Sequence, residues 1–147
     1  MNYAKHEKND VALSRQQMYE NIIGEGSDVN VVVGRLLTIL GFKSKLLGTK
    51  YLENAILYRY NNSNIVRVGM TNSTYVAVAN QFYSTSTRVE RAIRNTIVNC
   101  HIHGALSSFN DLAKAQVIDD RYAPSNSEFM SSVVNWLQLE KQSGRIK

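Results

Sequence analysis

The chain has 147 residues, 44% hydrophobic and 20% charged, with 17 Lys and Arg against 12 Asp and Glu, a formal charge of +5 and a pI near 9.4. That length suits one domain with a real core, the composition excludes a disordered or low-complexity chain, and a single cysteine excludes an internal disulfide and suits a reducing compartment. No apolar run approaches the roughly 20 residues that span a bilayer and the polar N-terminus has no signal-peptide core, so a cytoplasmic protein with no membrane partner is expected, and the positive charge favours a polyanion.

Residues 1–9 are polar. Residues 10–23 read as a helix capped by Asp10, with Val11, Met18 and Ile22 on one side. Nothing in the rest of the chain is obliged to cover that side, so it either folds back as a packing helix or promotes self-association. The break at Gly24-Glu25-Gly26 sets residues 1–27 apart as an extension from a domain over residues 28–147. Asp28 can cap a helix that runs to Leu40 and stops at Gly41. Val29, Val32, Val33, Leu36, Leu37 and Leu40 give it a wide apolar surface; Val31-Val32-Val33 could equally open a strand, but the apolar residues continue at helical spacing. Gly48 to Tyr60 is a further helix, with Leu52, Ala55, Ile56 and Tyr60 on one side. Asn61 to Asn64 is a turn, and Ile65 to Met70 fits a short helix or a strand.

Tyr75 to Phe82 is apolar-periodic, Tyr83-Ser84-Thr85 is a polar break, and a longer helix follows, so Thr74 to His103 reads as a helix-turn-helix. Val78, Ala79, Phe82, Val89 and Ala92 fall where that motif needs small or apolar packing residues. Tyr83 stands at a turn position more often held by Gly or Asn. At 100° per residue, Val89, Ile93, Thr96, Ile97 and Cys100 share one face, while Glu90, Arg91 and Arg94 fall within a neighbouring arc of roughly 100°. Arginine pairs with guanine O6 and N7, and a carboxylate accepts from the cytosine amino group, so this arc suits a G·C-containing duplex site. Thr85 or Ser86 can cap the helix, and the free N–H groups there can take a phosphate. The same pattern also fits an amphipathic helix whose charged face is simply solvated.

Gly104 to Ala123 is less regular; Leu106, Phe109, Leu112 and Ala113 suggest a short helix. Pro124 marks the boundary before a last helix capped by Ser125 or Asn126, with Phe129, Val133, Trp136 and Leu137 facing the core. Cys100, His101 and His103 are metal-binding residue types, but Cys100 lies on the apolar face, so no metal site is expected. No convincing catalytic carboxylate pair, nucleophile elbow or Gly-rich phosphate loop occurs, so neither an enzyme nor a cofactor is expected.

The run Ser84 to Arg94, with Arg88-Val89-Glu90-Arg91-Ala92-Ile93-Arg94 at its centre, closely resembles the recognition helix of the C-terminal effector domain of the sporulation initiation response regulator of endospore-forming bacteria. Asn126-Ser127-Glu128-Phe129 and Leu137 to Glu140 resemble that domain's last helix. Gly48, Tyr51, Leu52, Ala55 and Ile56 resemble its second helix, and Val31 to Gly41 its first. The resemblance implies an all-α domain of about six helices that reads short promoter boxes with the core TGTCGAA, often as head-to-tail pairs. It places the base contacts on Glu90, Arg91 and Arg94, and Ser86, Thr87, Arg88 and Asn95 are the expected contacts to the DNA backbone. It also implies a contact with the RNA polymerase sigma factor in Gly104 to Arg121, a stretch that resembles the family poorly.

Residues 1–27 stand where the family's regulator carries a receiver domain and are far too few to form one. The expectation is therefore a sequence-specific DNA-binding transcriptional regulator in the nucleoid, controlled without receiver phosphorylation and pairing on tandem sites. Two other readings stay open: an interaction protein that modulates another regulator or polymerase with vestigial DNA binding, and a general nucleic-acid binder.

Overall fold

Seven α-helices form the described residues of the computed structural model, which are 16–24, 27–63 and 70–147, and no strand occurs among them. Asp10, Val11, Gly26 and the stretch from Ile65 to Gly69 lie outside that description. The all-α expectation therefore holds.

The first helix, α1, covers residues 16–23. Ile22 and Ile23 are buried, and Met18 and Tyr19 pack against the same core. Of the two outcomes open for Met18 and Ile22, the structure shows the fold-back. The Tyr19 hydroxyl donates to Glu140 Oε2 at 3.0 Å, and Arg145 Nη1 donates to the same oxygen at 3.2 Å, so the far end of the chain closes over α1.

Helix α2 (Val29–Ile39) starts where expected, because Asp28 accepts from the backbone N–H of Asn30 at 2.7 Å and of Val31 at 3.3 Å. Val32, Val33, Leu36, Leu37 and Leu40 are all buried. Burial at helical spacing thus outweighs the strand preference of three consecutive valines. The chain leaves the helix at Gly41 with φ +98°, a conformation that favours glycine. Helix α3 (Leu47–Asn61) buries Leu52, Ala55 and Ile56 completely.

Helix α4 (Met70–Gln81) begins more than a turn before the apolar-periodic stretch at Tyr75. After Met70 its opening residues are Thr71, Asn72 and Ser73, weak helix formers that carry no periodic signal. Thr74 is nonetheless fully buried, so tertiary packing holds that turn. Helix α5 (Ser86–His103) buries Val89, Ile93, Thr96, Ile97 and Cys100, the face expected from the angular reading. A 3-10 turn (Leu106–Ser108) leads into the short α6 (Phe109–Ala113), which buries Phe109 and Leu112.

Helix α7 (Asn126–Gln142) opens with a capping box: Glu128 N–H donates to Ser125 Oγ at 3.1 Å and Ser125 N–H to Glu128 Oε1 at 2.9 Å. Phe129, Val133, Trp136 and Leu137 face inward. Phe109 meets Phe129 and Trp136 edge-on, with ring centroids 6.3 and 6.1 Å apart. No helix among the described residues is long and apolar enough to cross a membrane.

Two local features give measurable expectations. Tyr83 sits at φ +55° and is 97% exposed, so it carries left-handed strain with no packing to repay it. Tyr83→Asn should raise unfolding stability by about 1 kcal/mol in urea titration, since Asn tolerates that conformation.

Cys100 is 3% exposed and its thiol donates to Leu40 O at 3.1 Å. Burial pushes that thiol up to about 11. The folded value exceeds the unfolded one, so the neutral thiol's contribution is full below about pH 8.5 and is lost as pH climbs through about 11. A disulfide reagent at pH 8 should label it orders of magnitude more slowly than in urea, and wild type should lose stability between pH 9 and 11 relative to Cys100→Ala.

Candidate nucleic-acid interface

The turn before α5 is held from several sides. Ser84 N–H donates to Ala79 O at 2.8 Å, and Phe82 N–H to Val78 O at 3.1 Å. Val78 and Ala79 are buried at the crossing of α4 and α5, where the small Ala79 allows close approach. The Phe82 ring meets Tyr51 of α3 edge-on at 5.1 Å. Thr85 is extended, and its hydroxyl accepts from Arg88 N–H at 3.2 Å, which makes it the N-cap.

With the apolar face docked, α5 presents an outward arc. Glu90, Arg91, Arg94, Thr87, Arg88 and Asn95 are all exposed on it, and Ser86 is half-buried at its start. At 100° per residue, Thr87 and Arg91 lie near the middle, Glu90 at one edge, and Arg88 and Asn95 toward the other. Among the described residues, no ion pair or side-chain hydrogen bond engages Arg88, Arg91 or Arg94. Their guanidinium donors are therefore free to meet an acceptor without first losing a partner.

Two stretches of chain border this arc. On one side, residues 40–54 meet α5 at its middle, the chain just past its C-terminal end, and the end of α4 with the turn before it. Just past the C-terminal end of α5, Ala105 N–H donates to Leu40 O at 2.9 Å. At its middle Gly48 lies against Ala92 and Thr96. Before its N-terminal end, Tyr51 meets Phe82 of the turn, and Gln81 Nε2, at the end of α4, donates to Asn54 Oδ1 at 3.1 Å.

On the other side His101 Nε2 lies 2.8 Å from Asp119 O, and Asn126 Nδ2 donates to Glu90 O at 3.1 Å and to the Tyr75 hydroxyl at 3.1 Å. Burial holds the Tyr75 phenol above its usual range, and the Glu90 charge adds to that; the Asn126 bond and the nearby Arg59 guanidinium pull the other way. Asn126 thus ties α4, α5 and α7 together at the edge where Glu90 stands. The sequence offers it as an alternative cap and as part of the run that resembles the family's last helix. With Ser125 capping, its buried amide serves the tertiary structure instead.

The metal-type residues do not converge: Cys100 faces the core, His101 turns to the Asp119 carbonyl and His103 is exposed. No group of three or more His, Cys, Asp or Glu side chains able to hold a metal occurs among the described residues.

Residues 33–137 match the protein family described as sporulation initiation factor Spo0A C terminal, a family of DNA-binding effector domains. The match takes in more than half of the chain and all of α3, α4, α5 and α6.

The Asn126 junction has a direct consequence. Asn126→Ala removes the donor to the buried Tyr75 hydroxyl and a second donor to the part-buried Glu90 carbonyl, so it should cost about 1–3 kcal/mol in denaturant unfolding. An Asn126→Ala variant with the wild-type midpoint would show that the amide holds nothing in place.

Proposed function

The chain belongs to the Spo0A C-terminal family, and from that premise we propose that it is a sequence-specific, DNA-binding regulator of transcription that lays α5 in the major groove of short promoter boxes. The observation that carries this reading is the outward arc of α5, where Glu90, Arg91 and Arg94 are exposed and both arginines are unpaired. In the proposal, Arg91 and Arg94 donate in pairs to guanine O6 and N7, and Glu90 accepts from a cytosine amino group. Ser86, Thr87, Arg88 and Asn95 border them and take backbone phosphates, which fixes register without reading sequence.

Nothing among the described residues covers the arc. Binding by this chain then needs no phosphoryl donor, and pairing arises between copies set side by side on tandem boxes. The chemistry is binding alone, with no reaction catalysed.

A second reading has its own observation. Val117 is 40% exposed and Tyr122 is 68% exposed, at and just beyond the stretch where the resemblance places a sigma-factor contact. An interaction protein of that kind would use this surface and bind duplex weakly.

Duplex titrations separate the two. The protein should prefer a box with the TGTCGAA core over a scrambled duplex, and the preference should persist as salt rises. Arg91→Ala or Arg94→Ala should cost about 1–3 kcal/mol on the box and much less on scrambled duplex. Equal losses on both duplexes would make these arginines phosphate contacts and end the base-reading claim. Weak binding of the wild type to both duplexes would favour the interaction protein, and equal tight binding to both a general nucleic-acid binder.

A further inference from the structure

We propose that, beyond α5 itself, this chain grips the DNA backbone on one flank only, through a rail of three lysines, Lys43, Lys45 and Lys50. The proposal rests on the reading of α5 as the groove-entering helix and names the partner of its flank: the phosphodiester backbone of a duplex.

Position comes first. Residues 40–54 are held beside α5 at Gly48, at the Leu40–Ala105 bond just past its C-terminal end, and at the Tyr51–Phe82 and Asn54–Gln81 contacts with the turn and the end of α4 before it. Lys43 and Lys45 stand in the loop between Leu40 and Gly48, and Lys50 stands two residues past Gly48 on the outer face of α3, about 200° round from it. The chain that carries the three lysines therefore borders the edge of the arc with Arg88 and Asn95.

Charge comes second. All three lysines are exposed, and none is in an ion pair among the described residues. Among residues 40–54 the acid is Glu53, which is half-buried, and burial holds its carboxyl above the usual range. The first turn of α3 adds the positive end of its dipole, with neither an acid nor a capping side chain to offset it.

The opposite flank has the reverse character. Asp119, Asp120 and Glu128 are exposed there, against the single base Arg121, which is already paired to Asp119 at 3.1 Å. Hydrogen bonds from Arg121 hold Asp119 below the usual carboxylate range, and those from Ser125 do the same for Glu128, so both stay ionised at neutral pH. A duplex centred on α5 meets attraction on the α3 side and repulsion on the α7 side.

Leu46 and Leu47, 46% and 53% exposed, interrupt the rail and make a protein partner the rival occupant of this flank. Three unpaired lysines alongside the groove-entering helix favour DNA.

The test is the salt dependence of binding by the full chain. The triple variant Lys43→Gln, Lys45→Gln, Lys50→Gln should lower the slope of log affinity against log salt by about 2 to 3, one counterion per lost phosphate contact. Its affinity for box and scrambled duplex should fall by the same factor, so the ratio between them stays at the wild-type value. Its melting temperature should be unchanged, since the lysines are exposed and unpaired. Arg121→Gln, on the other flank, should leave the slope alone.

An unchanged slope in the triple variant would overturn the rail and hand the flank to a protein partner. An Arg121→Gln slope reduced as much as one rail lysine's share would overturn the one-sided grip. The base-reading proposal fails separately: a wild type that binds both duplexes equally, with a slope that depends on the lysines, loses the box and keeps the rail.

Discussion

The approach of Gly48 to α5 sets the geometry of the whole domain. A β-carbon there would lie 2.7 Å from Ala92 O and 3.2 Å from Thr96 Cβ, and the helix backbone cannot give way as a flexible side chain would. Glycine at the second position of α3 therefore lets two helices meet almost backbone to backbone. α5 is held with Val89, Ile93, Thr96 and Ile97 inward, and only the arc from Glu90 round to Arg88 is left to solvent. The same contact draws the lysine-bearing stretch before α3 alongside that arc.

Rotation of α5 about its own axis is fixed at two edges. Gly48 packs against Ala92 and Thr96 at one, and the Asn126 amide takes the Glu90 carbonyl at the other. A side chain that reads base edges must be placed within a fraction of an ångström, which a helix packed on one face alone does not guarantee. The turn supplies the third constraint: Ser84 N–H on Ala79 O and the Thr85 cap set where the helix begins. The polar contacts around the site are thus structural on the inner side, while the outer side keeps its arginine donors unspent. That division between a satisfied frame and an unsatisfied arc is what a binding surface needs.

Much of this was legible from residue order. Periodicity alone separated the buried and exposed faces of α5, because Val, Ile and Cys recur at helical spacing on one face and the charges on another. The cap at Asp28 was readable, and those at Thr85 and Ser125 were each one of two adjacent candidates, because a short polar side chain before an apolar run has one strong use there. Tyr83 was readable as an irregular turn residue, and it does adopt φ +55°. The first turn of α4 was missed because Thr71 to Thr74 have low helix propensity, and their helical state is a product of packing. The fold-back of α1 was one of two outcomes, since a stripe of apolar residues does not say whether its own domain or another molecule covers it. The tertiary uses of Gly48 and Asn126 had no local signal, for the residues they touch lie 44 or more positions away on other helices or, for Glu90, 36 away.

The central claim is that the exposed arc of α5 reads base sequence, and selection from a random duplex pool tests it most directly. Rounds of binding and amplification with the full chain should enrich one short box rich in G·C contacts at its centre, singly or in head-to-tail pairs. Enrichment should vanish when Arg91 and Arg94 are both replaced by Ala. A wild-type pool that stays as diverse as the input would contradict base reading by α5 and leave the arc as a solvated or general phosphate-binding face.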